Sequence, residues 1–424
     1  MRVTVHTLGC RVNQYESDLL RERLSALGGE GELHVVNTCT VTGLADRKAR
    51  QLVLRLKREH PGALVVAVGC GVDGAAPGLR RAGADLLVGN RDKGRMVELL
   101  ERFRSGCPPP EGEGWRPLDE DQLQGRASRV RALLKVQDGC TVGCTFCRAW
   151  RVRGPLRSKT PGAAREEAAR LARAGHPELV LVGINLAQYG QDLPSRPRLL
   201  DLLEELLGVP RVRYRLSSLN PEGVTDDLIA LFAQERRLCP YLHLPLQSGD
   251  DAVLRAMGRP YTAAEYTERA KAFLTAVPGA TLGADAMVGF PGEDEAAFAR
   301  TVEVLERLVP LNVHVFRFSP RPGTGAAELP GRVPPGEAAR RAAALAARAQ
   351  EWTDRVRHRF LGATVEVAVE EAREGGAWGW SEGYLWTEVR GSARPGTIVP
   401  ARIVGLGERS VLGVMLDRAE DRGD

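Results

Sequence analysis

Short apolar runs alternate with longer amphipathic stretches along most of the chain. In the first hundred residues the short runs are Arg2–Leu8, Leu33–Asn37, Ala63–Val68 and Asp85–Val88. Helical spacing fills Asn13–Leu27, Leu44–Glu59 and Arg91–Phe103 between and after them. Strands separated by helices predict a parallel sheet in an α/β unit. The alternation resumes with candidate strands Ala132–Val136, Leu179–Gly183, Arg211–Leu216, Tyr241–Leu246, Thr281–Val288 and Asn312–Phe318. Gly162–Ala174, Leu199–Leu207, Asp226–Ala233, Ala263–Ala276 and Glu295–Leu308 have helical spacing. About six βα units predict a partial TIM-like barrel, with chemistry at the carboxyl ends of its strands. Pro334–Leu361 reads as a long connecting helix. From Gly362 the pattern changes to the short strands Thr364–Val369, Tyr384–Val389, Ile398–Val404 and Ser410–Leu416, which predict a small β-barrel of the oligonucleotide-binding sort. The expected class is α/β, divided as 1–105, a linker at 106–128, a barrel at 129–333, a helix at 334–361 and a β-barrel at 362–424. The linker rests on Cys107-Pro108-Pro109-Pro110-Glu111-Gly112-Glu113-Gly114.

Composition narrows the class. At 424 residues the chain exceeds one ordinary core, and 43% hydrophobic with 27% charged residues suits a globular protein. No apolar run reaches the roughly 18 to 20 residues of a membrane-spanning helix. Met1-Arg2-Val3-Thr4-Val5-His6 enters strand-like alternation directly, so no signal peptide and a cytoplasmic location are expected. The net charge of +5 permits an anionic partner without requiring one.

Eight cysteines in such a chain argue against a disulfide scaffold. Cys140, Cys144 and Cys147 follow a C-x3-C-x2-C spacing with Phe146 before the last. Three thiolates on one short loop suit three irons of a cubane cluster and leave the fourth iron open to a chelating cosubstrate. Zinc is the alternative, but it favours four ligands, and the next histidine is His176. A second, dispersed triplet comprises Cys10, Cys39 and Cys70, each following a strand of the first sheet. Carboxyl ends of parallel strands are where open α/β sheets hold ligands, so a second metal cluster is expected there. The alternative is three small buried hydrophobes. Cys107 reads as an incidental thiol.

Polar residues follow each barrel strand: Asn185, Ser217 and Ser218, Gln247-Ser248-Gly249, Gly289 to Glu293, and Ser319 to Thr324. With Phe146 they form a candidate cofactor rim, although such residues also form ordinary turns. The run Arg148 to Lys159, with Arg151, Arg153, Arg157 and Lys159, is the densest basic segment. It suits phosphate contacts or a solvated loop. Trp378, Trp380, Tyr384 and Trp386 crowd one segment of a chain with 5% aromatics; beside Arg390 and Arg394 they suit base stacking, or the core of a small barrel.

Taken together, Thr7-Leu8-Gly9-Cys10-Arg11-Val12-Asn13-Gln14-Tyr15-Glu16-Ser17, Asn37-Thr38-Cys39, Gly69-Cys70, Gln137-Asp138-Gly139-Cys140, Arg153-Gly154 with Arg157-Ser158, His243-Leu244-Pro245-Leu246-Gln247-Ser248-Gly249 and Pro322-Gly323-Thr324 resemble the radical S-adenosylmethionine (SAM) methylthiotransferases over nearly the whole chain. The Cys10 to Ser17 form is most similar to the branch acting on N6-threonylcarbamoyladenosine beside the tRNA anticodon. The resemblance implies a 4Fe–4S cluster on Cys140, Cys144 and Cys147 that cleaves SAM to a 5′-deoxyadenosyl radical. It also implies a second 4Fe–4S cluster on Cys10, Cys39 and Cys70 that carries sulfur, a second SAM as methyl donor, and a C-terminal TRAM barrel that binds RNA. Implied partners are a tRNA anticodon stem-loop, a low-potential electron donor and a sulfur source. Two departures stand out. Arg148-Ala149-Trp150 replaces the usual apolar residues and proline, and Gly71-Val72-Asp73 replaces a more usual aromatic. Three rivals remain: action on isopentenyladenosine in tRNA, action on a ribosomal-protein aspartate, and a zinc-bearing RNA-binding protein without catalysis.

Overall fold

A computed structural model describes residues 1–25, 27–108, 115–125 and 127–416. The central residues of the expected linker, 109–114, lie outside the described residues, as do 417–424.

The first sheet is parallel and ordered as the chain runs, β1 (Arg2–Thr7), β2 (Glu32–Thr38), β3 (Leu64–Gly69) and β4 (Leu86–Val88). Its two faces are both apolar, as a sheet covered by helices on both sides requires. Leu20 and Leu24 of α1 (Arg11–Ser25) pack on one face with Val35 and Val66. Ala49, Val53 and Leu56 of α2 (Gly43–Glu59) pack on the other with Val36 and Val65. The sequence pattern missed α3 (Cys70–Arg81), which begins on the third strand's cysteine. Three glycines and Pro77 are poor helix formers, and the helix is bent at Ala75. After it, α4 (Met96–Arg104) closes the α1 face.

Six parallel strands follow in chain order as two linked sheets. They are β5 (Ala132–Lys135), β8 (Glu178–Val182), β9 (Arg213–Leu216), β10 (Tyr241–Gln247), β11 (Thr281–Val288) and β12 (Asn312–Arg317). A bridge between Ser218 and His243 joins the two sheets. A small ribbon of β6 (Gln137–Asp138) and β7 (Arg157–Ser158), with α5 (Ala149–Val152), frames the loop after β5. Helices α6 (Pro161–Arg173), α7 (Leu199–Leu207), α8 (Asp226–Gln234), α9 (Asp251–Met257), α10 (Ala263–Ala276) and α11 (Glu295–Leu308) surround the strands. Leu242, Leu244, Leu246 and Leu282 join the outer core, while the alternate positions carry polar groups to the inner face. This is the fold class read from the sequence.

The long α12 (Pro335–Arg359) leads into a closed five-stranded barrel ordered β13 (Thr364–Arg373), β14 (Gly376–Ser381), β15 (Trp386–Arg390), β17 (Val411–Met415) and β16 (Ile398–Leu406). The sequence pattern missed β14. Its glycines and tryptophans hide the two-residue alternation.

An ion cluster docks this barrel on the larger one. Glu178 is fully buried and bonds Arg213 and Arg215, each at 2.7 Å. Those arginines donate to backbone carbonyls of Glu366, Trp380, Ser381 and Glu382. Burial opposes the charge on Glu178, but Arg215, Arg213 and Arg131 outweigh it and hold the carboxyl far below its usual range. No described helix is long and apolar enough to cross a membrane.

Candidate active site

The loop after β6 carries Cys140, Cys144 and Cys147. Its start is fixed by Gly139, whose φ is +75°. A Cβ there would lie 2.0 Å from the Pro155 carbonyl oxygen. Gln137 ties the loop to its neighbour: its Oε1 accepts from the amides of Ile184 at 2.8 Å and Asn185 at 2.9 Å, and its Nε2 donates to the Gly139 carbonyl at 2.7 Å. Thr145 is held by the Met257 carbonyl at the end of α9 and by the amide of Ala326. Two side chains aim N–H groups at sulfur. Arg259 reaches Cys144 at 3.4 Å, and Asn185 reaches Cys140 at 3.9 Å. Burial pushes the Cys147 thiol up to about 11 and raises Cys140 too.

The dispersed triplet gathers at the carboxyl edge of the first sheet. Cys10 lies between β1 and α1, Cys39 follows β2, and Cys70 opens α3. Gly9, with φ +103°, lets the Cys10 turn pass Cys39; a Cβ there would lie 2.9 Å from the Cys39 sulfur. Asn90 donates to Cys70 Sγ at 3.4 Å. Burial, reinforced by Cys10 and Cys70, pushes the Cys39 thiol up to about 11. Cys10 is open at its surface but crowded on its inner side, and that crowding raises its thiol.

Both triplets fit iron–sulfur clusters. Thiols raised this far are neutral until a metal takes the proton's place, and N–H donors to sulfur are a means of tuning such clusters.

Between the triplets lies a buried ion network. Glu16 of α1 bonds Lys93 at 2.5 Å, Lys135 at 2.8 Å and Arg153 at 2.5 Å. Asp138 bonds Lys135 at 2.7 Å and Arg157 at 3.0 Å. Burial opposes the charge on Asp138, but Lys135, Arg153 and Arg157 hold its carboxyl at about 2. The four cations exceed the two carboxylates; burial opposes the charge on Arg153, but Glu16 and Asp138 help to outweigh it. Burial still keeps Cys10 and Cys39 raised despite this positive charge, which offsets the negative charge of a thiolate-ligated cluster once one is bound.

Burial corrects two expectations for the basic run. Arg153 and Lys159, candidates for phosphate contacts with RNA, are 1% and 0% exposed. Arg153 is committed to Glu16, Asp138 and Asn13, and Lys159 to Glu167 and the Asp121 carbonyl. Arg157 is mostly covered and pairs with Asp138. Arg151 remains exposed beside Trp150. The aromatic cluster is corrected in part. Tyr384, at φ +64°, is stacked between Tyr241 at 4.4 Å and Trp380 at 4.5 Å, so neither of its faces is open to a base. Arg11 donates to its hydroxyl at 2.6 Å. Trp380 is also covered by Arg131, and Trp386 tilts against it. These rings seal the seam between the barrels.

On the rim, Phe146 packs edge-on to Phe290. Asn185 caps a turn through its side chain, and Gln247 ends β10 at φ +67°. Ser217 is buried, and Ser218 makes the bridge to His243. The sequence pattern missed Arg259, Asn90 and the inner-face group His243, Asp285 and His314. Asp285 accepts from His243 at 2.9 Å and His314 at 3.2 Å. His243 and Glu16 stood inside quoted motifs, whereas nothing local marked Arg259.

Gly139→Ala is expected to leave the fold intact by circular dichroism and lower SAM cleavage by about a hundredfold. A Cβ meets backbone there, and an ångström of misplacement carries a cost of that order. Unchanged cleavage would refute this role for the turn.

Residues 134–305 match the Radical SAM superfamily, and residues 2–89 match Uncharacterized protein family UPF0004. A Thermotoga maritima protein described as "Threonylcarbamoyladenosine tRNA methylthiotransferase MtaB" is 33% identical over 99% of this chain and 98% of its own length. A Bacillus subtilis protein of the same description is 32% identical over 96% and 94%. A Thermus thermophilus protein described as "tRNA-2-methylthio-N(6)-dimethylallyladenosine synthase" is 34% identical over 89% and 83%. In fold, the chain resembles the radical S-adenosylmethionine methyltransferase TsrM from Kitasatospora setae, with a TM-score of 0.58 at 15% identity over 77% of this chain and 75% of that one. The chain thus belongs to the radical-SAM methylthiotransferase family, and within it is most like the tRNA threonylcarbamoyladenosine branch.

Proposed function

We propose that this enzyme converts N6-threonylcarbamoyladenosine beside the tRNA anticodon to its 2-methylthio derivative, using SAM and two 4Fe–4S clusters. The observation that carries the reading is the pair of cysteine triplets joined through the Glu16–Arg153 network. Cys140, Cys144 and Cys147 hold one cluster, and Cys10, Cys39 and Cys70 the other. When bound, the clusters and SAM supply reducing electrons, a radical and transferable sulfur, chemistry that an unactivated adenine C–H bond requires. The chain's own residues orient and enclose. Arg259, Asn185 and Asn90 donate to the cysteine sulfurs. Phe146, backed by the buried Phe290, borders the cluster loop, and Asn185, Ser217, Ser218 and Gln247 offer polar atoms to SAM. Arg151 meets phosphate, and the half-exposed Trp386 remains available to RNA. Residues 1–105, 129–333 and 362–424 act as cluster carrier, catalytic barrel and RNA-binding barrel. A low-potential reductant and a sulfur donor serve it in the cytoplasm.

The dimethylallyladenosine reading is the second candidate, because a relative with that description has 34% identity. Nucleoside mass spectrometry of tRNA from a deletion strain separates them. Loss of 2-methylthio-threonylcarbamoyladenosine is expected; loss of the dimethylallyl derivative alone would reverse the assignment.

Anaerobic cluster loading is also expected to release at least about two protons per triplet near neutral pH, because the raised thiols Cys10 and Cys39, and Cys140 and Cys147, start protonated. Proton release in weakly buffered solution measures it. Release of far fewer would mean that the apo cysteines are already thiolates.

A further inference from the structure

Three of the chain's seven histidines, His6, His34 and His60, meet at one place far from either cysteine triplet. Glu32 opens β2 and His34 lies two residues on, at the amino end of the strand whose carboxyl end leads to Cys39. His60 caps the end of α2. His34 is 4% exposed, and its Nε2 is buried without a hydrogen-bond partner. That atom approaches Glu32 Oε1 at 3.3 Å, and His60 Nδ1 lies 3.0 Å from Glu32 Oε2. One ligand atom from each of Glu32, His34 and His60 falls within 4.8 Å of the others.

We propose that Glu32, His34 and His60 form a binding site for a divalent transition cation of the zinc class. Tetrahedral zinc with bonds of about 2.1 Å places its ligand atoms about 3.4 Å apart, near the spacings present. The outer partners also fit. His34 Nδ1 lies 3.0 Å from His6 Nε2. When Nδ1–H donates to His6, the Nε2 lone pair faces the Glu32 carboxylate. That arrangement is repulsive until a cation stands between them. A ligating histidine whose second nitrogen bonds a fixed partner is the common pattern of zinc sites. Arg2 bonds Glu32 Oε1 at 2.6 Å from the exposed side and orients the carboxylate. Glu32 and His60 are only partly covered, so the site is reachable. The ion would pin β2 to the end of α2.

The test uses the full chain with both clusters reconstituted, then dialysed against zinc alone. One zinc per chain is expected. Its X-ray absorption is expected to show nitrogen and oxygen at about 2.0 to 2.1 Å and no sulfur at about 2.3 Å. His60→Gln, at the half-covered helix end, is expected to weaken binding at least a hundredfold, and His6→Gln by ten- to a hundredfold as an outer partner. Zinc is also expected to raise the melting temperature of the parent but not of His60→Gln. Alanine at Cys140, Cys144 and Cys147 is expected to leave this zinc in place. Absence of bound zinc, sulfur scattering around it, or undiminished binding by both His60→Gln and Glu32→Gln would overturn the proposal.

Discussion

Alanine at Cys140, Cys144 and Cys147 together is expected to lower SAM cleavage by at least about a thousandfold. Iron is expected to fall from about eight to about four per chain, because two four-iron clusters are proposed and one set of thiolates is gone. The fold is expected to persist. The loop is held largely by groups other than sulfur, including Gln137, Thr145 and the amide of Ala326. The complementary variant, alanine at Cys10, Cys39 and Cys70, is expected to cleave SAM and yet form no methylthio product. That split separates the two triplets' roles. Equal loss of SAM cleavage in both variants would remove the division of labour.

Glu16→Gln is expected to destabilise the protein by about 3–5 kcal/mol, the range for breaking one partner of a buried ion pair. The glutamate is 3% exposed and balances Lys93, Lys135 and Arg153. Glutamine removes the carboxylate charge opposite Lys93, whose other side-chain hydrogen bond among the described residues is a 3.4 Å contact to Asn37. Arg153 would keep Asp138 and Asn13, and Lys135 would keep Asp138, so the damage centres where Lys93 meets α1. The pH dependence has a definite sign. Burial works against the Glu16 charge, but Arg153, Lys135 and Lys93 hold its carboxyl well below the usual range. A lowered folded value means stability that is present above the unfolded value of about 4.3 and lost as pH falls through the folded one. Parent stability is therefore expected to drop steeply below about pH 4, and the Glu16→Gln curve to be flatter there. Asp138, held at about 2, leaves a residual slope in both. Urea melts from pH 7 to pH 3 measure this, and parallel curves would refute the assignment.

Much of this architecture is local in origin. Leu242, Leu244 and Leu246 alternate with Tyr241, His243 and Pro245, and period-two alternation has one physical solution, a strand with an apolar and a polar face. The elements the pattern missed are those whose residues resist it: the glycines and proline of α3, and the glycines and tryptophans of β14. Tertiary packing formed both against weak local preference.

The side chains of the basic run and the aromatic segment obey a different rule. Charge and hydropathy around Arg153 do not separate it from Arg151, yet one is buried against Glu16 and the other is exposed. Tyr384 and Trp380 carry the composition of a base-stacking surface, but Tyr241 and Arg131 occupy their faces. Spacing along the chain alone determined the compact cysteine loop and the order of strands, because those depend on residues a few positions apart. Only the tertiary structure decided which charges and rings meet solvent. A buried arginine needs a carboxylate to balance it, and the nearer of the two that do so, Glu16, lies 137 positions away in the chain.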